Sequence, residues 1–221
     1  MVISNSTILD GVTDNPDYSW DKKTQRYRNK QTGRFVRADT VANLSKQRIE
    51  LIKKDLSQIG NLLINRKINL QTWQSETAIA LKSLHGQQYV LGRGGMSQIK
   101  KEDYLEIGRE LRVQYKYLRN FAYDLKQGKV SEKQFKRRVQ MYADSSKVSF
   151  FRGKSRSAKE AGYTHAKRFL GIAEHCPDCL RYHARGVVPI SELVLPTQAC
   201  VCGSQCRCNV LYLRLEEAIK S

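Results

Sequence analysis

The sequence lacks several features that would indicate particular classes of protein. It has no apolar run of about 18 residues, the length that a membrane-spanning helix needs, so we do not expect it to cross a membrane. Its first residues have neither the basic start nor the apolar core of a secretory signal. No cysteine occurs before Cys176, so thiol chemistry is limited to the last fifth of the chain.

Acidic residues are also scarce. The chain has 21 Asp and Glu residues against 39 Lys and Arg residues, a formal net charge of +18. Residues 174–221 contain five of each sign, so the whole excess lies in residues 1–173. A positive field of this size favours contact with nucleic acid or with an acidic protein surface. The simpler interpretation is a solvated helical protein that is merely basic.

All six cysteines form two clusters near the C-terminus. They follow the pattern C-x2-C, twenty further residues, and then C-x-C-x3-C-x-C. Two cysteine clusters that flank a loop of this length are the usual arrangement of a structural zinc site, with ligands from both clusters around one tetrahedral ion. A disulfide framework would need an oxidising compartment, and a redox C-x2-C would need a thioredoxin-like βαβ unit. We therefore predict a zinc-binding module.

The predicted ligands come from both clusters. The C-x2-C half can wrap a turn around a metal, with Pro177 fixing its backbone, and Cys206 and Cys208 would point to the same face of a strand. With Cys202 as the next candidate, the predicted metal-binding residues are Cys176, Cys179, Cys202, Cys206 and Cys208. Four thiolates are enough to close a structural zinc site.

Three further residues lie beside these ligands in the sequence. Cys200 is the expected spare thiol. His175 and His183 could join the cysteines and even complete a two-metal cluster. A solvent-facing or hydrogen-bonded side chain is the simpler expectation for each histidine. One ion and two ions are both compatible with the sequence.

Residues 18–39 combine aromatic and basic side chains. Arg26–Arg28 and Arg34–Val36 are predicted to pair as short strands around a turn supplied by Asn29 and Gly33. Such a hairpin can stack bases and neutralise phosphates, or it can dock into a neighbouring subunit through its aromatic side chains, and we favour docking. The predicted contact residues for a partner or for nucleic acid are Trp20, Lys22, Lys23, Arg26, Tyr27, Arg28, Lys30, Arg34, Phe35 and Arg37.

The middle of the chain has the periodicity of helices. Apolar residues at spacings of three and four predict a long amphipathic helix over about 39–65, a second that contains Trp73 and Leu84, and a third over 101–127. Ser131 and Gln134 form the capping box of a fourth. The glycine-rich segment 92–96 is predicted to be a loop, and strands predicted at 167–170 and 209–215 flank the cysteines.

The predicted fold is therefore mainly α. An N-terminal arm (1–37) carries the basic β-hairpin, a helical-hairpin or bundle body covers 38–165, and a small Cys-rich zinc-binding α+β module covers 166–221. No catalytic set emerges, because His85 and His165 have no evident carboxylate or nucleophile partner. The surplus of thiolates argues for a closed zinc site rather than an open, catalytic one. We predict neither an enzyme nor a small-molecule substrate.

Several motifs resemble those of a known family. HCPDC at 175–179, G-x2-P-I at 186–190, a Leu-Pro and then C-x3-C-R-C resemble the C-terminal part of tailed-bacteriophage minor head proteins, the head-morphogenesis family. W-D-x4-R-Y-R-x4-G-R-F-V, an Arg-Gly-Gly within 92–95 and Q-Y-x-Y-L-R resemble segments of long phage and prophage proteins with the same ending. The family's ending has a His-Pro before its Cys-Arg-Cys, where this chain has Gly203, Ser204 and Gln205.

The resemblance implies a low-copy structural protein of the virion, a minor capsid protein that acts at the portal or inner capsid while the head is assembled in the host cytoplasm. Its partners would be other virion proteins, namely portal, capsid or neck subunits, and packaged double-stranded DNA. It also implies that four cysteines occupy the family's cysteine positions, namely Cys176, Cys179, Cys206 and Cys208. The alternative is a free zinc-containing nucleic-acid-binding protein.

Overall fold

The computed structural model describes residues 8–219, whose first regular element is a small β-hairpin. β1 (Tyr18–Asp21) pairs with β2 (Arg26–Asn29) in antiparallel register. Asp21 Oδ1 accepts hydrogen bonds from the backbone N–H groups of Lys23 and Thr24 at 3.0 and 3.1 Å. These bonds close the turn between the two strands, as Asp side chains often do.

The strand pairing of this hairpin agrees with the prediction in part. The predicted pairing of Arg26–Arg28 with Arg34–Val36 is present as one bridge, between Arg28 and Phe35, and as a backbone hydrogen bond from Val36 N–H to the Tyr27 carbonyl at 2.7 Å. The regular partner of β2 is instead β1, which precedes it. The side chain of Asp21 explains the difference, because it closes the β1–β2 turn and also forms an ion pair with Arg28 at 2.7 Å.

Five long helices form the body of the protein, and the predicted helical character is confirmed. They are α1 (Ala38–Ile64), α2 (Leu70–Arg93), α3 (Lys101–Lys126), α4 (Glu132–Ser145) and α5 (Lys147–Glu160). The predicted capping box is present at the start of α4, where the Ser131 N–H donates to Gln134 Oε1 at 2.9 Å. Within residues 8–219, no helix is both long enough and apolar enough to cross a membrane.

The core of the body lies where α1 to α4 meet. Trp73 of α2 is completely buried and packs against Phe121 of α3 and Phe135 of α4, with ring centroids 6.2 and 5.4 Å away. Ile49 and Leu56 of α1 close the cluster from the other side. The apolar spacing that predicted the helices therefore also predicts the faces that they bury.

α2 and α5 approach each other so closely that their backbones are in contact. A Cβ atom at Gly92 would lie 2.1 Å from the carbonyl oxygen of Phe150, and one at Gly153 would lie 2.4 Å from that of Tyr89. The two glycines leave the space that this crossing requires.

The predicted loop at 92–96 begins later than expected, since α2 continues to Arg93 and ends at Gly94, whose φ is +99°.

A buried arginine ties three of these helices together. Arg93 at the end of α2 is only 2% exposed. Its guanidinium donates to Asp103 of α3 at 3.2 Å, and to Ser157 and Glu160 of α5 at 3.0 and 3.1 Å. A buried charge needs such partners, because an unpaired one would be strongly destabilising. The segment after α2 is thereby fixed.

His85 of α2 makes the stability of the helical body depend on pH. Its ring is fully buried, with Nδ1 2.8 Å from the hydroxyl of Ser149 on α5. Burial lowers the pKa of His85 to about 3, against about 6.5 for an exposed histidine. Below about pH 6.5 the unfolded chain binds a proton that the folded protein excludes. Stability is therefore complete above that pH and falls toward pH 3, by about 1.4 kcal/mol for each pH unit.

We expect His85→Gln to remove most of this dependence. Urea unfolding at pH 7, 6 and 5 should show a smaller loss of stability toward acid in the variant than in the natural protein. His165→Gln is the matched control, since that ring lies at the surface beside the Thr164 hydroxyl, and it should keep the full slope. Equal slopes for all three proteins would show that His85 is not the responsible group.

The C-terminal part combines a small sheet with short helices. Its elements are β3 (His165–Phe169), α6 (Pro177–Ala184), β4 (Val187–Pro189), β5 (Asn209–Leu213) and α7 (Leu215–Ile219). β3 lies in the middle of an antiparallel sheet with the order β4-β3-β5. β3 and β5 confirm the two strands predicted to flank the cysteines, and they pair with each other. α6 and β4 were not predicted. Ala166 and Val210 pack against Phe151 of α5, which joins the sheet to the helical body.

Candidate metal centre

Local structure brings the six cysteines to one end of this sheet. Cys176 precedes α6, and Pro177 opens the helix where its missing N–H costs nothing. Cys179 lies on the buried face of α6. The remaining four thiols belong to the chain between a turn at residue 197 and the start of β5, where a short 3-10 turn over Gly203–Gln205 separates Cys202 from Cys206.

Contacts with the rest of the protein hold that cysteine loop in place. Asp178 of α6 accepts a hydrogen bond from the backbone N–H of Val201 at 2.9 Å. Lys147 of α5 donates to the carbonyl oxygen of Ser204 at 2.9 Å. Gln205 donates to Asp144 of α4 at 3.1 Å. The loop is thus anchored to α6 on one side and to the helical body on the other.

Four sulfurs form the tightest group. The Sγ atoms of Cys179, Cys200, Cys202 and Cys206 all lie within 4.8 Å of one another, and all six cysteines are free thiols. Cys179 Sγ is 3.6 Å from Cys202 Sγ and 3.7 Å from Cys206 Sγ. Three of the four side chains are buried and that of Cys202 is half-buried. This cluster could hold a metal ion.

A second group of donors shares one sulfur with the first. His175, Cys179 and Cys208 have donor atoms within 4.8 Å of one another. Cys208 Sγ lies 3.8 Å from His175 Nδ1. Cys176 packs against the same cluster and is half-buried. Cys179 is therefore the centre of the whole arrangement.

A buried arginine accompanies the thiols. Arg168 of β3 is 1% exposed, and its Nη2 donates to the sulfurs of Cys179, Cys200 and Cys206 at 3.4, 3.2 and 3.1 Å. A guanidinium at this distance stabilises the ionised form of a thiol. Sequence reasoning missed this residue. The alternation of a strand could have indicated it, because Arg168 points to the same side of β3 as the buried Ala166.

The thiols have unequal acidities. Burial by itself would raise the pKa of the Cys206 thiol, but hydrogen bonds from the backbone N–H groups of Cys208 and Thr197 and the charge of Arg168 lower it to about 6. Burial raises the pKa of Cys179 well above its usual range, and burial with the neighbouring Cys176 raises that of Cys202 to about 12. A metal binds thiolates, and of these three thiols that of Cys206 is the one whose surroundings favour the ionised form.

The predicted ligands and the observed groups overlap in part. Three of them, Cys179, Cys202 and Cys206, belong to the four-sulfur group, and Cys208 belongs to the second group. Cys200, the expected spare thiol, completes the four-sulfur group instead. Among the described residues, His183 lies in neither group, and its Nδ1–H donates to the backbone carbonyl of Arg168 at 3.0 Å. Spacing alone could not rank the thiols, because the fold of the loop decides which of them converge.

Two aromatic residues of the hairpin, Tyr27 and Trp20, lie against the chain's own body, whereas Phe35 is exposed. Tyr27 is 7% exposed and its hydroxyl donates to the carbonyl of Leu91 at 2.8 Å. Trp20 packs edge-on against Tyr27, with ring centroids 4.8 Å apart, and its ring lies over Gly94, where a Cβ would approach it to 2.3 Å. The guanidinium carbons of Arg26 and Arg28 lie 4.5 and 3.9 Å from the centre of the Phe35 ring.

Most of the basic residues of the hairpin remain exposed. Arg28 is half-buried in its ion pair with Asp21. The exposed bases of the predicted contact set are Lys22, Lys23, Arg26, Lys30, Arg34 and Arg37. This segment thus presents positive charge and the Phe35 ring outward, while Tyr27 and Trp20 make contacts with the rest of the protein.

Comparison with known proteins gives no relative: no protein-family model, no curated protein and no solved structure matches this chain. The resemblance to phage minor head proteins stays a prediction from the motifs at 20–36, 92–95, 114–119 and 175–208. The structure adds to those motifs a buried group of thiols that could hold a metal ion and an exposed basic hairpin.

Proposed function

We propose that this chain is a structural protein of a tailed-phage head, a minor capsid or portal-associated protein, whose C-terminal part is folded around zinc. The observation that carries the proposal is the convergence of four thiols on one buried point at the end of the sheet. The phage assignment rests on the motifs that resemble the head-morphogenesis family. That resemblance supplies the proposed location, the phage head, in which the rigid C-terminal part would act.

Zinc is the metal that fits these donors best. Four sulfurs about 2.3 Å from a tetrahedral zinc ion lie about 3.8 Å apart. Cys179 Sγ lies 3.6 and 3.7 Å from Cys202 Sγ and Cys206 Sγ, which is close to that edge length. Soft thiolate ligands in a tetrahedral set favour zinc over the hard divalent cations. With four protein thiolates the ion has no open position, so its role is structural.

Arg168 should strengthen the binding of this ion. We expect Arg168→Met, which keeps the apolar stem but removes the charge, to lower zinc affinity by about 10- to 100-fold, as losses of groups around a metal site often do. Competition with a chromophoric chelator at pH 7 measures the change. Arg185→Met is the control, since that guanidinium pairs with Glu192 at the surface and should leave the affinity unchanged. Equal affinities for Arg168→Met and the natural protein would show that Arg168 does not act on the metal.

The surface supports docking through charge rather than stacking on bases. Proteins that bind single strands present aromatic faces to successive bases. Here Tyr27 is buried against Leu91 and Trp20 lies on Gly94. Phe35 is the exception, since it is 36% exposed, with two guanidinium groups against its ring. The exposed lysines and arginines remain available for an acidic protein ring or for the phosphates of packaged DNA.

Cofractionation with phage heads tests the proposal. We expect the protein to sediment with portal or capsid assemblies, and the triple variant Lys22→Glu, Lys23→Glu and Arg34→Glu to be lost from them. A control with the same change of charge on the helices, Lys46→Glu, Lys54→Glu and Lys116→Glu, should still sediment.

Binding to naked DNA distinguishes the second candidate function, a free nucleic-acid-binding protein, from the proposed role in the phage head. A free nucleic-acid-binding protein would bind duplex DNA tightly in isolation. The logarithm of its affinity would fall with the logarithm of the salt concentration, with a slope of about −0.9 for each phosphate contacted. It would show no preference for head assemblies. That pair of results would contradict the proposed role in the virion and leave the zinc module intact.

A further inference from the structure

We infer that the cysteine end holds two zinc ions that share the thiolate of Cys179. This inference rests on the proposed zinc module and extends it. The first ion would lie among Cys179, Cys200, Cys202 and Cys206. The second would be bound by Cys179, Cys208 and His175, with Cys176 as its fourth ligand.

The two donor groups meet at one atom. Cys179 Sγ belongs to both groups, and within each group every donor atom lies within 4.8 Å of the others. In a tetrahedral zinc site, a sulfur and a histidine nitrogen are separated by about 3.6 Å, given bonds of about 2.3 and 2.05 Å. Cys208 Sγ and His175 Nδ1 are 3.8 Å apart. The second group therefore has nearly the spacing of a zinc site.

The hydrogen bond of His175 prepares its ring for a metal. Its Nε2 lies 2.7 Å from the carbonyl oxygen of Gly171, and a carbonyl can only accept, so Nε2 carries the proton. In the neutral ring Nδ1 is then an unprotonated nitrogen, and it faces Cys208. Metal-binding histidines characteristically donate their other N–H to a backbone carbonyl or a carboxylate in this way.

A close backbone contact fixes the loop that carries this histidine. A Cβ atom at Gly171 would lie 2.4 Å from the carbonyl oxygen of Arg207, the residue between Cys206 and Cys208. The glycine permits that approach. As a result, the carbonyl that orients His175 and the thiol that faces its ring belong to two backbone segments in direct contact.

The number of donors matches two ions. Two four-coordinate ions that share one ligand need seven donors, and this segment supplies six thiols and His175. Cys176 is the remaining thiol. It is half-buried against the cluster, directly follows His175, and lies beside the thiols of Cys179 and Cys202. Two zinc dications against six thiolates leave two negative charges, of which the buried guanidinium of Arg168 neutralises one.

The zinc content of the full chain tests this inference. Protein purified under reducing conditions should contain two zinc ions per chain by native mass spectrometry and atomic emission, with all six thiols unreactive until the metal is removed. One zinc ion with two freely reactive thiols would overturn the inference and leave the proposed zinc module standing. Protein without zinc would overturn both.

Two histidine variants locate the second ion. His175→Ala should reduce the content from two zinc ions to one and leave one or two thiols reactive. His183→Ala, a change of the same residue type in the same module, should keep two ions, because His183 Nδ1 bonds to the Arg168 carbonyl and the ring lies outside both donor groups. Two ions in His175→Ala would overturn the assignment of the second site, and the count in the natural protein decides the inference even if a variant does not fold.

Discussion

Gly153→Ala should destabilise the helical body by on the order of 3 kcal/mol or more, because it forces two helix backbones apart. A Cβ atom at Gly153 would meet the carbonyl oxygen of Tyr89 at 2.4 Å and the backbone nitrogen of Arg93 at 3.0 Å. These are backbone atoms, and a flexible side chain cannot move aside to relieve the clash. Urea unfolding followed by circular dichroism measures the loss.

Gly108→Ala is the matched control in another helix. Among residues 8–219, a Cβ atom there would meet only the end of the Ile8 side chain, at 3.4 Å. Since alanine is favoured over glycine within helices by up to about 1 kcal/mol, this variant should be as stable as the natural protein or slightly more stable. Similar losses in both variants would show that the crossing of α2 and α5 does not depend on the missing side chain.

Cys179→Ser should abolish metal binding in the four-sulfur group and unfold the C-terminal sheet while the helical body stays folded. Cys179 is 1% exposed and belongs to both donor groups. A structural zinc ion contributes about 10–16 kcal/mol to the folding of small modules. Without it, the buried apolar contacts of the sheet, such as those of Ala166 and Val210, are too few to order the segment.

The two tryptophans make this outcome easy to measure. The chain has only Trp20 and Trp73, on the hairpin and in the core of the body. Their fluorescence should therefore be unchanged in Cys179→Ser, while amide hydrogen exchange in β3, β4 and β5 should become fast. Cys176→Ser should be milder, because the four-sulfur group remains complete. Protection of the sheet in Cys179→Ser equal to that in the natural protein would contradict the role of the metal in folding it.

The helical body could be predicted because its signals are local. The periodicity of apolar residues and the capping of helices depend on residues that are neighbours in sequence. Examples are the apolar spacing that marks α1 and the Ser131–Gln134 capping box that starts α4. The close crossing of α2 and α5 could not be predicted, because Gly92 and Gly153 are 61 positions apart and nothing near either one indicates the other.

The metal centre shows the same division between local and distant information. The cysteine spacing predicted a metal-binding module, and the convergence of the thiols agrees with it. The choice among the thiols depends on the path of a loop anchored by Asp178 and Lys147, which the spacing does not contain. Arg168 is one of several bases in a basic stretch of the sequence, and the fold of the sheet places it against the sulfurs.

The most direct test of the zinc-folded C-terminal module is hydrogen exchange before and after removal of the metal. Protein purified under reducing conditions should contain zinc, and a chelator should make the amides of residues 165–213 exchange rapidly while those of α1 to α4 stay protected. Metal-free protein with the same residues already protected, or with its cysteines joined in disulfides, would contradict the account.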